Sequence, residues 1–349
     1  MKDDSGVAVT VDRLDAGSAA RWDAFVSDCP RATFFHRAGW KTVIESALRH
    51  PCYFLYAERG GRICGVLPLV HVKSLLFGNS LVSTGFTVGG GSVADDTEAL
   101  AALDREALAL ADGLDVDYVE YRGENPRHAD WASNEGLYVR FRKTIGPDPE
   151  KDMLAIPRKQ RAMVRKGIKA GLVGAIDDDV GRLHRVYAES VRNLGTPVFA
   201  SAYFRALRET FGSDLDIVTI EHDGQAIASV MNFYFRDQVL PYYGGGTTGA
   251  RDVAGNDFMY WEVMRRAVER GCRLFDFGRS KRGTGAFSFK KNWGFEPEPL
   301  TYEYKLRKIP AVPEVNPLNP KYRLFIAAWK RLPLPVANLV GPHIVRNLG

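Results

Sequence analysis

The sequence contains few cysteines and histidines, and their placement excludes several kinds of site. Its 349 residues include four cysteines, which lie far apart and form no CxxC pair. Isolated cysteines at this density are typical of small apolar core residues in a reducing compartment, not of a disulfide scaffold. The seven histidines form no HxH or HExxH pair. The sequence therefore predicts no metal site.

Long apolar runs are also missing. No stretch reaches 18 uninterrupted apolar residues, so no transmembrane helix is predicted. The polar, acidic start of the chain lacks the apolar run of a signal peptide, and we expect a cytoplasmic protein. The composition, 45% hydrophobic and 26% charged, is that of a globular protein. A net charge of +5 permits anionic partners without requiring a nucleic acid.

An internal repeat is present. Residues 53–69 and 216–232 each consist of two apolar runs joined by a glycine turn, with Gly61 and Gly224 lying 163 positions apart. A helical pattern precedes each pair. A glycine triplet and a second amphipathic helix, near 97–112 and 257–270, follow it. The same order of elements at a nearly constant offset indicates duplication.

The repeat predicts an α/β (α+β) fold of two tandem domains, each with the order αββ(β)αβαβ. We place the domains at 1–148 and 177–308, with a basic inter-domain helix at 149–176. The remaining residues, 309–349, form a proline-rich tail that holds seven of the 18 prolines.

The inter-domain segment carries a stripe of cations. Arg158, Arg161, Arg165 and Lys169 recur at helical spacing, and no acidic residue interrupts them. Two interpretations stay open. The stripe is either a solvated helix face or an anion site for the phosphates of a nucleotide sugar, a tRNA or coenzyme A.

A glycine-rich stretch in the second half is a candidate binding loop. Tyr242 and Tyr243 end a predicted strand, Gly244 begins the glycine run, and Asn256 lies at the start of the helix that contains Trp261. Backbone N–H groups at such a loop and helix end could hold an anion or a carbonyl oxygen, with Tyr242 and Trp261 as walls. The alternative is a flexible hairpin loop that only caps the helix.

Residues 275–295 contain the densest set of candidate groups. The end of a predicted strand places Arg279 and Ser280 at a sheet edge where ligands commonly bind. Lys290 follows Phe289 in an otherwise apolar helical turn. It is either a surface lysine that snorkels to solvent or a cation that takes part in binding or catalysis. The first-half copy near Trp131 lacks this set. We therefore expect chemistry in the second half and support from the first.

The tail from Tyr322 to Arg346 mixes apolar residues with cations, and Pro333 and Pro335 rule out one continuous helix. The tail either lies on an anionic membrane surface or packs on the second domain.

The chain resembles the FemAB family. The resemblance covers the chain to about Lys308. Two segments carry it: between the halves, Arg-Lys-Gln-Arg-Ala-Met-Val-Arg-Lys-Gly, and near the end, Phe-Ser-Phe-Lys-Lys-Asn-Trp-Gly-Phe. Phe-Asp-Phe-Gly-Arg-Ser-Lys and Pro-Tyr-Tyr-Gly-Gly-Gly are similar to the branch associated with the PEP-CTERM/exosortase system. The resemblance implies two GNAT-like acyltransferase domains.

The resemblance further implies an N-acyltransferase that moves an aminoacyl or acyl group onto an amine of a cell-envelope or polysaccharide precursor. The donor, aminoacyl-tRNA or acyl-CoA, is a co-substrate, and no cofactor is permanently bound. The acceptor is a small or lipid-linked molecule. By this resemblance Phe289 and Lys290 contact substrate, and Arg165 corresponds to an arginine of the inter-domain helix. We also count Arg161 and Trp40 among the substrate-binding candidates.

Two departures from the family pattern matter for the donor. No two-helix arm is visible in the second half, which weighs against tRNA. The acetyl-CoA loop motif survives only as Arg251–Asn256, with alanine and asparagine at its two glycine positions. The alternatives are a non-catalytic scaffold of the polysaccharide or protein-sorting machinery and an acetyl-CoA-dependent N-acetyltransferase.

Overall fold

The structure is a computed structural model that describes residues 7–74, 78–123, 126–312 and 320–348. It confirms the predicted α/β fold with two compact units. The first unit contains the described residues up to Leu137 and those from Pro299 to 312. The second contains Tyr138–Glu298 and the described residues from 320 to Arg346.

The described residues of the first half form seven strands and three α-helices. In chain order they are β1 (Thr10–Arg13), α1 (Ala19–Asp28), α2 (Gly39–Val43), β2 (Cys52–Arg59), β3 (Arg62–Ser74), β4 (Gly78–Ser83), β5 (Val93–Ala94), α3 (Thr97–Gly113), β6 (Tyr118–Gly123) and β7 (Ala132–Thr144).

The second half repeats the pattern with additional helices. In chain order its elements are α4 (Pro149–Ala155), α5 (Arg158–Lys169), β8 (Val173–Ile176), α6 (Gly181–Leu194), α7 (Ser201–Phe211), β9 (Leu215–His222), β10 (Gln225–Phe235), β11 (Gln238–Gly246), α8 (Gly255–Glu269), β12 (Leu274–Lys281), α9 (Gly285–Asn292), β13 (Pro297–Leu306), α10 (Pro320–Trp329) and α11 (Leu334–Val345).

The two units share one strand order, which confirms the duplication. The first unit has the order β1-β2-β3-β4-β6-β13, and the second has β8-β9-β10-β11-β12-β7. In each unit the fourth and fifth strands of the order are parallel and the other neighbours are antiparallel. A helix, α3 or α8, connects the two parallel strands, as a parallel pair requires.

The last strand of each repeat pairs inside the other unit. β7 closes the first repeat in sequence, but its residues from Tyr138 pair with β12 in the second unit. β13 closes the second repeat, and its residues from Thr301 pair with β6 in the first unit. The predicted boundaries at 148, 176 and 308 follow chain order and stay a prediction, whereas the compact units exchange these two strands.

Each unit has its own apolar core. In the first unit, β2, β3 and β6 pack with α3 through residues such as Leu55, Leu67 and Leu103, all fully buried. In the second unit, α8 lies against β9, β10 and β12, and it is buried on most of its circumference. This burial makes α8 the central helix of the second core.

A histidine between two carboxylates joins β13 to the first unit. The imidazole of His128 contacts Asp104 on α3 through Nε2 (3.1 Å) and Glu303 on β13 through Nδ1 (3.2 Å). Its ring stacks on Trp131 at 4.0 Å. Burial alone would lower the pKa of His128, but the two carboxylates outweigh burial and raise the pKa from 6.5 to about 9. The protonated imidazole therefore stabilises the fold.

We expect the replacement His128→Gln to reduce stability in a pH-dependent way. The folded-state pKa lies above the unfolded one, so the stabilisation is complete below about pH 6.5 and is lost as the pH rises through about 9. The difference in the free energy of unfolding should reach at most about 3 kcal/mol at low pH. Urea unfolding of both proteins from pH 6 to pH 10 measures it, and the comparison cancels all other titrating groups. A difference that does not change with pH would contradict this role.

The tail forms two helices that pack on the second unit. α10 ends at Trp329 and α11 begins at Leu334, and this break agrees with the one that Pro333 and Pro335 predict. The Trp329 side chain is buried, and a Cβ on Gly341 would meet the Val198 backbone at 3.0 Å. Packing, one of the two predicted alternatives, is therefore observed, while membrane contact stays a prediction.

Candidate active site

The parallel strands β11 and β12 part soon after they begin. Their pairing joins only Gln238 with Leu274 and Val239 with Phe275. Beyond these pairs β11 stays on β10, while β12 has a bulge between Asp276 and Gly278. Gly278 has φ +67°, a conformation that favours glycine. The result is an opening between the carboxyl halves of the two strands.

Asp276 fixes the bulge from inside. Its carboxylate accepts hydrogen bonds from the Gly278 N–H (2.7 Å) and from Arg140 Nε on β7 (2.7 Å). Both Asp276 and Arg140 are buried, and a paired carboxylate of this kind is strongly held. The Asp276 carboxylate and the neighbouring strand β7 therefore hold the backbone of β12 in its irregular course.

Lys290 lies over the bulge in β12. Its Nζ donates to the main-chain carbonyls of Phe277 (2.6 Å), Gly278 (3.3 Å) and Arg279 (3.0 Å). Burial lowers the pKa of Lys290 from 10.5 to about 7, with Arg279 adding to the effect and Asp276 opposing it. The amine therefore exists in both protonation states near neutral pH. In the charged state its three donors match three carbonyls.

The sequence explains why this lysine points inward. Thr284 caps α9, since its hydroxyl accepts from the Phe287 N–H (3.3 Å) and donates to the Lys281 carbonyl (2.8 Å). Phe289 is half-buried, and its ring packs on the Tyr260 ring with 5.6 Å between the two ring centres. These contacts place the next residue, Lys290, over β12.

Asp257, in the first turn of α8, is a buried carboxylate that no sequence pattern singles out. Its Oδ1 accepts from Gln160 Nε2 of α5 (3.1 Å) and from Trp293 Nε1 after α9 (3.0 Å). Burial raises the pKa of Asp257, and the two donors oppose this effect. One buried carboxyl therefore joins α5, α8 and the end of α9. Only the three-dimensional structure brings these distant residues together.

The prediction that the glycine run forms a loop is wrong. Gly244, Gly245 and Gly246 belong to β11 and pair with β10. Added Cβ atoms would lie 2.8 Å from Val230 at Gly244 and 2.5 Å from Asn256 Oδ1 at Gly246. The glycines are therefore required because neighbouring elements approach closely, and they form no free loop around an anion.

The segment between β11 and α8 keeps part of the predicted binding loop. Ala254 has φ +59°, a left-handed conformation that costs an alanine about 1 kcal/mol or more. Asn256 lies in the first turn of α8, and its Oδ1 is buried with no hydrogen-bond partner among the described residues. The backbone bend that the degraded motif suggests is present, and an asparagine side chain occupies the inside of it.

The other aromatic candidates divide between core and surface. Tyr243 is buried and shares a hydrogen bond of 2.8 Å with the Tyr203 hydroxyl. Trp261 is buried in the core around α8. Tyr242 is half-buried and meets Tyr243 edge to face at 4.8 Å. Trp40 lies in the core of the first unit, where its Nε1 donates to the Phe34 carbonyl (3.1 Å). Tyr243, Trp261 and Trp40 therefore serve packing in this structure.

Arg279 and Ser280 lie at the end of β12, as predicted. The guanidinium of Arg279 stacks over the Tyr138 ring at 4.5 Å. Ser280 is buried, and its Oγ has no hydrogen-bond partner among the residues that the structure describes. The structure thus brings Lys290, Arg279, Ser280 and Phe289 together on β12 and α9.

The basic helix α5 presents its cations to solvent. Its buried side consists of Gln160, Val164 and Gly167, and Gly167 is in close contact with Phe258 of α8. Arg161 donates to the Leu154 carbonyl (2.8 Å), and Arg165 is exposed. Within the described ranges no carboxylate pairs with the six cations of this helix, which are Arg158, Lys159, Arg161, Arg165, Lys166 and Lys169.

The described part of the chain holds no group of three or more histidine, cysteine, aspartate or glutamate side chains arranged for a metal ion. Nor does any described helix combine the length and apolarity needed to cross a bilayer.

The duplicated strand order, the parted parallel strands and the helix between them define the class of fold, which is a tandem GNAT-like fold. Residues 157–291 match a family model described as an acetyltransferase (GNAT) domain. This match includes Lys290 and the whole of the opening between β11 and β12.

Solved structures support the same fold at low sequence identity. The chain is similar to FemX, with a TM-score of 0.68, 15% identity, and coverage of 91% of this chain and 100% of that chain. It is similar to a tandem GNAT protein from the clavulanic acid biosynthesis pathway (TM-score 0.55, 14% identity, 87% and 100% covered). The C-terminal domain of a protein assigned as a lysylphosphatidylglycerol synthetase from Agrobacterium fabrum is also similar (TM-score 0.57, 14% identity, 83% and 92% covered).

A comparison of the sequence with curated proteins gives no match. The fold-level part of the predicted resemblance is thus confirmed, and the PEP-CTERM/exosortase branch stays a prediction.

Proposed function

We propose that the protein is an N-acyltransferase of FemAB type, which transfers an aminoacyl or acyl group from an activated ester or thioester to an amine. The observation that carries the proposal is Lys290, a half-buried lysine held on the bulge of β12 with a pKa of about 7. Perturbed pKa values of this kind cluster at functional sites.

The reaction needs no covalent intermediate on the protein. The lone pair of the acceptor amine attacks the donor carbonyl carbon, a C–N bond forms, and negative charge develops on the carbonyl oxygen. The C–O or C–S bond then breaks, the alcohol or thiol leaves, and the amine loses a proton to solvent or to a base. Catalysis therefore requires proximity and a charge that faces the oxyanion.

Lys290 supplies that charge in our proposal. The oxyanion would take the place of one of the three carbonyls that now accept from Nζ, the longest contact being the one to Gly278 at 3.3 Å. Arg279 and Ser280, at the end of the same strand, would contact polar parts of the donor or acceptor. Phe289 and Tyr242 would supply apolar walls.

The six cations of α5 support a donor that carries phosphates. An unpaired cationic face next to α8 suits a polyphosphate or a tRNA backbone, and both aminoacyl-tRNA and acyl-CoA provide one. Asn256 inside the bend before α8 weighs against simple acetyl-CoA, since it occupies space that a glycine would leave to a ligand. Acetyl-CoA-dependent N-acetylation is therefore the alternative, not the first choice.

The acceptor that we propose is a cell-envelope or polysaccharide precursor, small or lipid-linked. This part depends on the resemblance to the FemAB family and its PEP-CTERM/exosortase-associated branch, and it fits a cytoplasmic enzyme that works near the inner membrane.

One experiment separates the candidate donors. The melting temperature of the purified chain is measured with acyl-CoA, aminoacyl-tRNA and a UDP-sugar peptide, and turnover is then measured for each compound that binds. A donor that binds raises the melting temperature with concentration. Turnover with acetyl-CoA and a simple amine would favour the acetyltransferase alternative.

A non-catalytic binding protein is the second candidate, and one observation favours it. All three donors of Lys290 are engaged by main-chain carbonyls, as expected if the lysine only braces the bulge in β12. This candidate predicts that no acyl donor binds. Binding of any of the donors followed by turnover would exclude it.

We expect the double replacement Arg161→Glu and Arg165→Glu to raise the KM for the phosphate-bearing donor by about ten-fold or more, because charged hydrogen bonds and attraction are lost. kcat should change little, since neither side chain contacts β12. The exposed Arg105 on α3 offers a matched control, and Arg105→Glu should leave KM unchanged. Equal effects of both replacements would place the donor elsewhere.

A further inference from the structure

The two tail helices have a clear inward side. On α10, Trp329 is buried, and a Cβ on Gly195 at the end of α6 would lie 2.5 Å from the Ile326 side chain. On α11, Ala337, Gly341 and Val345 are buried at helical spacing. Arg192 of α6 donates to the Lys330 carbonyl (3.2 Å). The tail is therefore a fixed part of the second unit.

The opposite side of the tail is apolar and exposed. Leu324 is 83% exposed, Leu339 is 72% exposed, and Leu194 beside Gly195 is 63% exposed. Large apolar side chains rarely stand this far out, since their exposure to water is unfavourable. We call the following set the outer tail surface: Leu194, Leu324, Phe325, Val336, Leu339 and Val340.

The acidic and basic residues of the tail all have one sign. From residue 320 to residue 348 the sequence has five lysines and arginines and no aspartate or glutamate, although the whole chain has 42 acidic residues. Arg323, Lys330 and Arg331 are exposed. The surface therefore combines protruding apolar groups with exposed cations.

We propose that the outer tail surface docks the protein on an anionic lipid bilayer. Apolar side chains enter the boundary between headgroups and acyl chains, while adjacent lysines and arginines meet anionic headgroups. A protein partner would be expected to find at least one acidic group to pair with its own cations, and the tail offers none. The helices lie on the surface and do not cross it. The inference stands apart from the acyl transfer reaction, because it needs no residue of β12 or α9.

The test uses the full chain and sedimentation with vesicles. Vesicles of phosphatidylglycerol and phosphatidylcholine are compared with vesicles of phosphatidylcholine alone, at low and high salt. We expect binding to the anionic vesicles only, and weaker binding at high salt. Lys330→Glu with Arg331→Glu should weaken binding by about ten-fold or more, since each cation near the surface contributes roughly five-fold. Leu324→Glu with Leu339→Glu should abolish it.

The variants change exposed side chains and leave the tail in place, because truncation of the tail would uncover the core under Trp329 and could unfold the protein. Leu154→Glu provides the control, since Leu154 on α4 is also exposed, at 62%, and lies outside the tail. This variant should bind as the unmodified chain does. The proposal is overturned if the full chain does not bind anionic vesicles, if Leu154→Glu reduces binding as much as the tail variants, or if the tail leucines instead drive self-association in light scattering.

Discussion

Replacing Lys290 with methionine should lower turnover by about 10²–10³-fold, the loss expected when one donor to a developing oxyanion is removed. Methionine keeps the length of the side chain and removes the charge. Lys291, the next residue, is exposed on the same helix, so Lys291→Met is a matched control and should retain full turnover. Unchanged turnover in a folded Lys290→Met protein would remove this lysine from the mechanism.

The pH dependence identifies what Lys290 does. If the cation is the active form, its contribution falls as the pH rises through about 7, where the pKa of Lys290 lies. If the neutral amine acts as a base, the contribution rises over the same range. The titration of the acceptor amine affects both proteins equally, so the ratio of unmodified to Lys290→Met turnover isolates the lysine. A ratio that is constant across this range would indicate a role in folding alone.

Replacing Gly245 with alanine should destabilise the second unit by about 1–3 kcal/mol, the usual cost of overpacking. The added Cβ would lie 2.5 Å from Ser190 Cβ on α6, and still closer to its hydroxyl. The strand and the helix cannot both keep their places. Chemical denaturation of the purified variant measures the effect.

A second replacement tests this explanation. Ser190→Gly removes both atoms that the new Cβ would meet, so the double variant should recover most of the stability that Gly245→Ala loses. Ser190→Gly alone should cost about 1 kcal/mol as a glycine inside a helix. Gly249→Ala is the control, because its nearest neighbour would be Thr247 Oγ1 at 3.9 Å. A double variant that is no more stable than Gly245→Ala would show that the strain lies elsewhere.

Much of the fold could be predicted because the repeat supplies two independent copies of one pattern. The helices near 97–112 and 257–270 agree with α3 and α8 within about two residues at each end. The partners of β7 and β13 could not be predicted in the same way. Both are alternating strands of similar length, and alternation determines which face of a strand is buried but not which neighbour it pairs with.

The site was predictable in part, for related reasons. The aromatic residues around Lys290 and the absence of acids in α5 are local patterns, and each has a direct physical meaning. The glycine run was misinterpreted because glycine serves both loops and close packing, and Ser190 and Asn256, which decide between the two, come from other elements. Asp257 was missed because its partners, Gln160 and Trp293, are 97 and 36 residues away in sequence.

The exchange of β7 and β13 bears on how a protein of this kind could arise. A single repeat on its own chain would lack the partner strand that its final strand has here, because in this structure each such strand pairs with the other repeat. Two identical copies could each pair their final strand with the sheet of the other copy, which gives a symmetric homodimer with swapped strands. Gene fusion of such a pair would yield the present chain in one step and make its assembly independent of concentration. Once the copies were joined, one could specialise in chemistry while the other was retained for the strand it contributes.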